Sequence, residues 1–163
     1  MISLTQTQIE QLPLFHRITI PESYIDVLGH MNVRQYVGIF DDSAWHFFAS
    51  FGMNETYFRE SRAGAFALRQ MINYVAEVHV GETVAVRSRI LGRSAKRIHF
   101  MQFMLNETTG KLAATIEVLG SHADTVARRT SPFPEHIAQQ IDAIIAAQNE
   151  LDWDAPICGV LRP

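Results

Sequence analysis

Asp26, Gly29, His30 and Asn32 lie close together in the stretch Tyr24-Ile25-Asp26-Val27-Leu28-Gly29-His30-Met31-Asn32-Val33-Arg34-Gln35-Tyr36. A carboxylate, a glycine, an imidazole and a helix-capping side chain are thus crowded before the start of a helix. A helix N-terminus presents backbone N–H groups without intrahelical partners, and its dipole favours negative charge. An acid beside such an end can act as a general base or as a nucleophile while the N–H groups hold a developing oxyanion. By itself, an aspartate before a glycine reads as a turn cap. His30 can orient Asp26 or a substrate, or simply pack beside the helix. Gly29 allows a backbone turn close to a ligand. Asn32 reads first as the helix cap, with a role in placing water open to the same side chain.

The elements that position these residues follow from periodicity. Leu14 to Ile20 reads as a first strand, stopped by Pro21. Asn32 with Gln35 forms a capping-box pattern, and apolar residues at 33, 36, 37, 40, 44, 47, 48 and 51 give helical spacing up to Gly52. Ile39 and Trp45 widen that stripe, which predicts a helix covered on most sides. At 1.5 Å per residue it would be roughly 28 Å long. If Asn32 caps Arg34 or Gln35, the N–H of Val33 stays open for a ligand oxygen. Strands are expected at 66–80, 83–91, 97–105 and 112–128, with short turns implying an antiparallel meander. Ile137, Ile141, Ile144 and Ile145 predict a closing helix over 135–149, followed by a tail to residue 163. The expected fold is α+β in one domain: about five antiparallel strands around a long central helix, plus a C-terminal helix. One covering helix leaves sheet surface or edges to protect, which argues for a dimer sharing its sheet.

The 163 residues carry a net charge of -3 and are 47% hydrophobic. That balance argues against a general nucleic-acid binder. No apolar run reaches bilayer length, and residues 1–15 lack a secretory leader pattern, so a cytoplasmic protein is expected. Cys158 is the sole cysteine, which excludes an intrachain disulfide. The seven histidines show no metal-site spacing, and no phosphate-binding glycine loop is present. No metal or cofactor is therefore expected. Ser121-His122-Ala123-Asp124 superficially suggests a nucleophile relay. In a strand, however, Ser121 and His122 point to opposite faces, and no nucleophile elbow surrounds the serine. Trp45, Phe47, Phe48 and Phe51 read as helix packing.

The set Asp26-x-x-Gly29-His30-x-Asn32, leading to Tyr36 and Phe40-Asp41-Asp42, together with the order of elements, resembles the hot-dog-fold acyl-CoA thioesterases. The nearest branch is the one typified by 4-hydroxybenzoyl-CoA thioesterase. The resemblance covers roughly residues 14 to 136 and includes Arg128-Arg129 before Pro132 and Pro134. Many relatives carry a second asparagine where this chain has Val33, so only the backbone can act there. The resemblance implies that Asp26 is the catalytic carboxylate and that the N–H near Val33 polarises the thioester carbonyl. His30 and Asn32 assist, and Gly29 and Met31 line the substrate. Asp41 and Asp42 are reserve acids. The locally basic run Arg87, Arg89, Arg93, Lys96 and Arg97, with no acid between Glu82 and Glu107, could bind the phosphates of coenzyme A or form a solvated face. Tyr57 and Phe58 are candidates for an acyl pocket. A homodimer or homotetramer with the site at the protomer interface is implied. Acyl-CoA hydrolysis is the leading expectation; the competing ones are an acyl-CoA-binding protein without turnover and a hot-dog hydratase or dehydratase.

Overall fold

A computed structural model describes residues 4–163. The first three residues, on which part of the leader expectation falls, lie outside the described residues. The elements are α1 (Gln6–Glu10), β1 (Leu14–Thr19), a 3-10 turn (Glu22–Tyr24), α2 (Val33–Ala49), α3 (Glu55–Glu60), β2 (Ala63–Tyr74), β3 (Thr83–Arg93), β4 (Arg97–Asn106), β5 (Lys111–Asp124), β6 (Arg129–Thr130) and α4 (Glu135–Gln148). The sheet runs β1-β3-β4-β5-β2, and β6 pairs with β5. Strand β1 lies antiparallel to β3, with Ile18 opposite Val84. Among the described residues, no helix is long and apolar enough to cross a membrane.

The chain forms two compact units whose boundaries cut through the long strands. Unit 1 comprises residues 1–46, 72–88 and 102–116. Its buried side chains include Ile20, Met31, Tyr36, Ile39, Phe40, Val78, Val84, Phe103 and Leu105. Gln102 is 1% exposed, and its amide Nε2 donates to the hydroxyls of Ser43 and Ser88 at 3.1 and 3.2 Å. A buried amide requires such partners. The expected wrapping of α2 is incomplete, because Val33, Val37 and Trp45 remain exposed. These residues share one helical stripe.

Unit 2 comprises residues 47–71, 89–101 and 117–163. Phe47 meets Phe48, Phe51 and Phe100 at centroid distances of 5.5, 5.2 and 4.7 Å. This aromatic cluster is core packing, as the helical spacing implied; each buried ring stabilises the fold by roughly 1.5–3 kcal/mol. Glu117, 1% exposed in its side chain, accepts from His99 at 2.8 Å and from the Cys158 N–H at 2.6 Å. That carboxylate ties the C-terminal tail to strand β5. Tyr57 and Phe58 lie on the short helix α3, capped by Asn54 Oδ1 accepting from the Tyr57 N–H at 2.9 Å. Tyr57 then bonds to His122 Nε2 at 2.7 Å, so its hydroxyl is engaged in this network.

Two expected strands end early, each for a visible reason. Strand β2 stops at Tyr74 because the N–H groups of Val75 and Ala76 both donate to the Ala113 carbonyl, at 2.8 and 3.0 Å. Two residues opposing one break the ladder. Residues 75–82 are then released to run beside the 26–31 loop. Strand β5 stops at Asp124, whose carboxylate accepts from the Val126 and Ala127 N–H groups at 2.8 Å each. The chain turns through Arg128 at φ 54 and returns as β6. Helix α2 likewise ends at Ala49, two residues short of Phe51, with Gly52 at φ 94 turning the chain away.

Candidate active site

The site is built on unit 1, where a tight loop delivers Asp26 to the start of α2. Ile25 and Met31 pair as an antiparallel bridge, closing residues 26–30 into a turn. The Gly29 N–H donates to the Asp26 carbonyl at 3.0 Å, and Gly29 sits at φ 85, a left-handed conformation that favours glycine. Met31 N–H donates to the Val78 carbonyl at 2.7 Å, and Asn32 N–H to the Tyr24 carbonyl at 2.9 Å. His79 Nδ1 lies 3.1 Å from the Gly29 carbonyl. The released segment after β2 therefore anchors the loop from below.

Within this frame, Asp26 Oδ1 accepts from the Leu28 N–H at 2.8 Å and Oδ2 accepts from Asn32 Nδ2 at 3.3 Å. The turn-capping and site readings of Asp26 thus coexist in one side chain, which remains 22% exposed. His30 Nδ1 is 3.7 Å from Asp26 Oδ1, and its Nε2 is 3.9 Å from Glu77 Oε1. His30 spans two carboxylates at ion-pair range. Asn32 Oδ1 accepts from the Arg34 N–H at 3.1 Å, so it caps the second helical residue. The reciprocal half of the expected capping box, from Gln35, is absent among the described residues. The Val33 N–H, next to the cap, has no intrachain acceptor among the described residues, and the Val33 side chain is exposed.

A cleft of about 410 Å³ is lined by Asp26, Leu28, His30, Met31, Val33, Tyr36 and residues 74–77. A second cleft of about 520 Å³ also has Asp26 in its wall, with Ser23, Tyr24, Asn32 and Arg34. Tyr36 and Tyr74 meet edge to face at 5.2 Å and 83°. Burial pushes the Tyr36 hydroxyl above its ordinary pKa, and the Glu77 charge pushes it further in the same direction.

Asp26, Gly29, His30, Met31, Asn32 and Val33 are brought together as the sequence suggested. The basic run is not one open patch. Arg89 is 8% exposed, donates to the Trp153 and Gln148 carbonyls at 2.6 and 3.2 Å, and lies 4.7 Å from the Trp153 ring centroid. It clamps the C-terminal segment and is closed to phosphate. Arg87 donates to the Leu12 carbonyl at 2.6 Å, and Arg93 is paired with Asp142. Only Lys96 and Arg97 of the five are exposed. Asp41 and Asp42 are exposed on α2, and neither lines the 410 Å³ cleft. Ser121 Oγ donates to the Lys96 and His122 carbonyls, and no relay links it to the His122 ring. Tyr74, Glu77 and His79 were not singled out by sequence; they fall inside the 66–80 run, which signals only a strand.

A β1-β3-β4-β5-β2 sheet with a long helix entered through this loop defines the hot-dog class. The chain belongs to the thioesterase-like superfamily, whose family model matches residues 20–141. It is similar to a betainyl-CoA thioesterase of Pseudomonas aeruginosa, with 25% identity over 86% of this chain and 87% of that protein. It is 29% identical, over 82% of its length, to an L-carnitine dehydrogenase/betainyl-CoA thioesterase of Agrobacterium fabrum, and spans 27% of that longer protein. A Staphylococcus aureus protein solved in complex with CoA superposes with a TM-score of 0.77 at 27% identity, covering 88% of this chain and 90% of that one.

Proposed function

We propose that this protein is an acyl-CoA thioesterase that uses Asp26 and the Val33 N–H, with its catalytic unit a single hot-dog domain. The observation that carries the reading is one cleft lined by both the Asp26 carboxylate and the residue whose helix-end N–H is unpaired. In the base route, Asp26 takes a proton from water as the water oxygen bonds to the thioester carbon. The carbonyl oxygen becomes an oxyanion held by the Val33 N–H and the positive helix end. Collapse expels the coenzyme A thiolate, which takes up a proton, and leaves the carboxylic acid. In the nucleophilic route Asp26 attacks the same carbon and the C–S bond breaks, expelling the coenzyme A thiolate, which takes up a proton, and leaving a mixed anhydride. Water then hydrolyses that anhydride to the carboxylic acid and free Asp26, and hydroxylamine trapping of the anhydride separates the two routes. Asn32 and the Leu28 N–H fix the carboxylate in either case. Neither route needs a metal or cofactor.

The Asp26 position between two clefts suits a substrate with two arms, an acyl group on one side and a thiol chain on the other. Lys96 and Arg97 are the exposed cations proposed to meet coenzyme A phosphates. Betainyl-CoA, the substrate named for the curated relatives, is a candidate acyl donor. A homodimer or tetramer is part of the proposal. Edge strand β2 exposes Phe66, Leu68 and Tyr74 on one face and Met71 on the other, apolar surface that a partner edge would help to cover. Tyr74 also lines the cleft, so a partner there would help to enclose the site. Light scattering reads the assembly state.

The decisive assay is thiol release from a panel of acyl-CoA esters by wild type and Asp26→Asn. Loss of most hydrolysis in the mutant is expected, with binding retained. Full activity in Asp26→Asn would sink the assignment, and tight ester binding without turnover by wild type would replace it with a binding protein.

A further inference from the structure

The geometry points to the wall formed by Glu77, Tyr74 and Tyr36 as a selector for acyl groups that carry a fixed positive charge close to the thioester carbonyl. The inference rests on the reading of Asp26 and Val33 as the reacting end of the same cleft. Its first support is charge. The residues lining the cleft include two carboxylates, Asp26 and Glu77, one histidine, and no lysine or arginine. An acyl group ending in a carboxylate meets repulsion on both sides there, whereas a cation meets attraction. Burial is the main cause of the raised Tyr36 pKa, and the Glu77 charge adds to it in the direction a negative wall would give.

The second support is aromatic geometry. Tyr74 stands edge to face with Tyr36 at 5.2 Å, and Tyr36 is buried, so this contact fixes Tyr74 as the exposed ring of the cleft wall. An aromatic ring in the same wall as a carboxylate suits a quaternary ammonium, which has no N–H to donate and is held by the ring quadrupole and by charge. Tyr74 lines the cleft and is 51% exposed before any partner docks on β2.

The third support is a conflict that the site must resolve. A carbonyl oxygen on the Val33 N–H places any charge two bonds from the carbonyl carbon near the positive end of α2. The helix end disfavours a cation there. A carboxylate in the same wall offsets that cost, and Glu77 is so placed, within ion-pair range of both His30 and His79 at 3.9 and 3.8 Å. Asp26 is committed to the reaction, so Glu77 is the carboxylate left to recognise charge.

The test compares betainyl-CoA with 3,3-dimethylbutanoyl-CoA, which has the same shape with a neutral carbon in place of the ammonium nitrogen. The readout is the ratio of kcat/KM for the two esters, measured on the full chain. Wild type should favour the cation by at least about tenfold. Glu77→Gln should lower that ratio about fivefold, and Tyr74→Leu by a similar factor. Glu77→Lys should push the ratio below that of Glu77→Gln. Equal rates for the two esters with wild type, or a ratio unmoved by all three substitutions, overturns the selector while leaving thioester hydrolysis standing. If wild type cleaves no ester of a panel that includes acetyl-CoA, the underlying reading fails and the selector with it.

Discussion

Replacing Asn32 by Asp isolates the electrostatic side of the site from its architecture. The two side chains have nearly the same shape, and Asp is as good a helix cap as Asn, so Oδ1 can still accept from the Arg34 N–H. The other atom changes character: a donor 3.3 Å from Asp26 Oδ2 becomes a charged oxygen. Two unit charges at that separation repel by about 1 kcal/mol in water and about 5 kcal/mol at an effective dielectric of 20. At 1.36 kcal/mol per pH unit, that is about 1 to 3.5 units. Asp26 is partly solvated and the pair can relax, so the lower end applies, roughly 1 to 2 units. The sign follows from the chemistry. In both proposed routes Asp26 works as the carboxylate, and a neighbouring negative charge favours its protonated form. The acid limb of the kcat/KM profile must therefore move to higher pH, and thermal stability near neutrality should change little. Asn32→Ala is the companion: it removes the same donor without adding a charge, so the acid limb should move less than in Asn32→Asp, while loss of the cap costs about 1 kcal/mol, or roughly 2–4 °C in Tm. An acid limb in Asn32→Asp that coincides with wild type would refute the placement of Asp26 as the titrating group in turnover.

Three further outcomes are expected. Val33→Pro keeps a residue that the first helical position tolerates while deleting its N–H, so kcat/KM should fall about 10²–10³-fold with the circular dichroism spectrum retained; near-normal turnover would remove the backbone oxyanion donor from the mechanism. Gly29→Ala meets no atom within 4 Å, so its cost is the left-handed backbone alone, about 1 kcal/mol, read as a Tm lowered by roughly 2–4 °C. Burial lowers the His122 pKa, against an opposing hydrogen bond to the Ser131 carbonyl. The unfolded chain therefore takes up that proton at a higher pH than the native one, and stability contributed by the neutral ring is lost as pH falls below about 6.5. Tm measured from pH 7 to pH 5 should drop less in His122→Gln than in wild type.

Much of this arrangement was legible because it is local. Asn32, the apolar spacing from Val33 onward and the glycine at 29 fix the helix start, and Asp26 is placed by hydrogen bonds that span only six residues. What escaped the sequence depends on distant partners. The Ala113 carbonyl ends β2 by accepting from both Val75 and Ala76, and no feature of the 66–80 run announces it. Arg89 reads as one more cation in a basic stretch until Gln148 and Trp153, far along the chain, close over it. Glu77 joins the cleft only because the strand was interrupted before it. Side-chain alternation records which face a residue takes, but not where a ladder breaks.

The Val33 N–H belongs to the backbone, and this has a consequence for heredity. In the proposed mechanism a function carried by that atom is written in no codon at position 33, and the side chain there is constrained only by its place in the cleft wall and by the exclusion of proline. What must be inherited is the neighbouring cap, because Asn32 satisfies the next N–H and leaves this one open. Descendants of this chain could change the amino acid at position 33 and still keep the N–H proposed to meet the substrate.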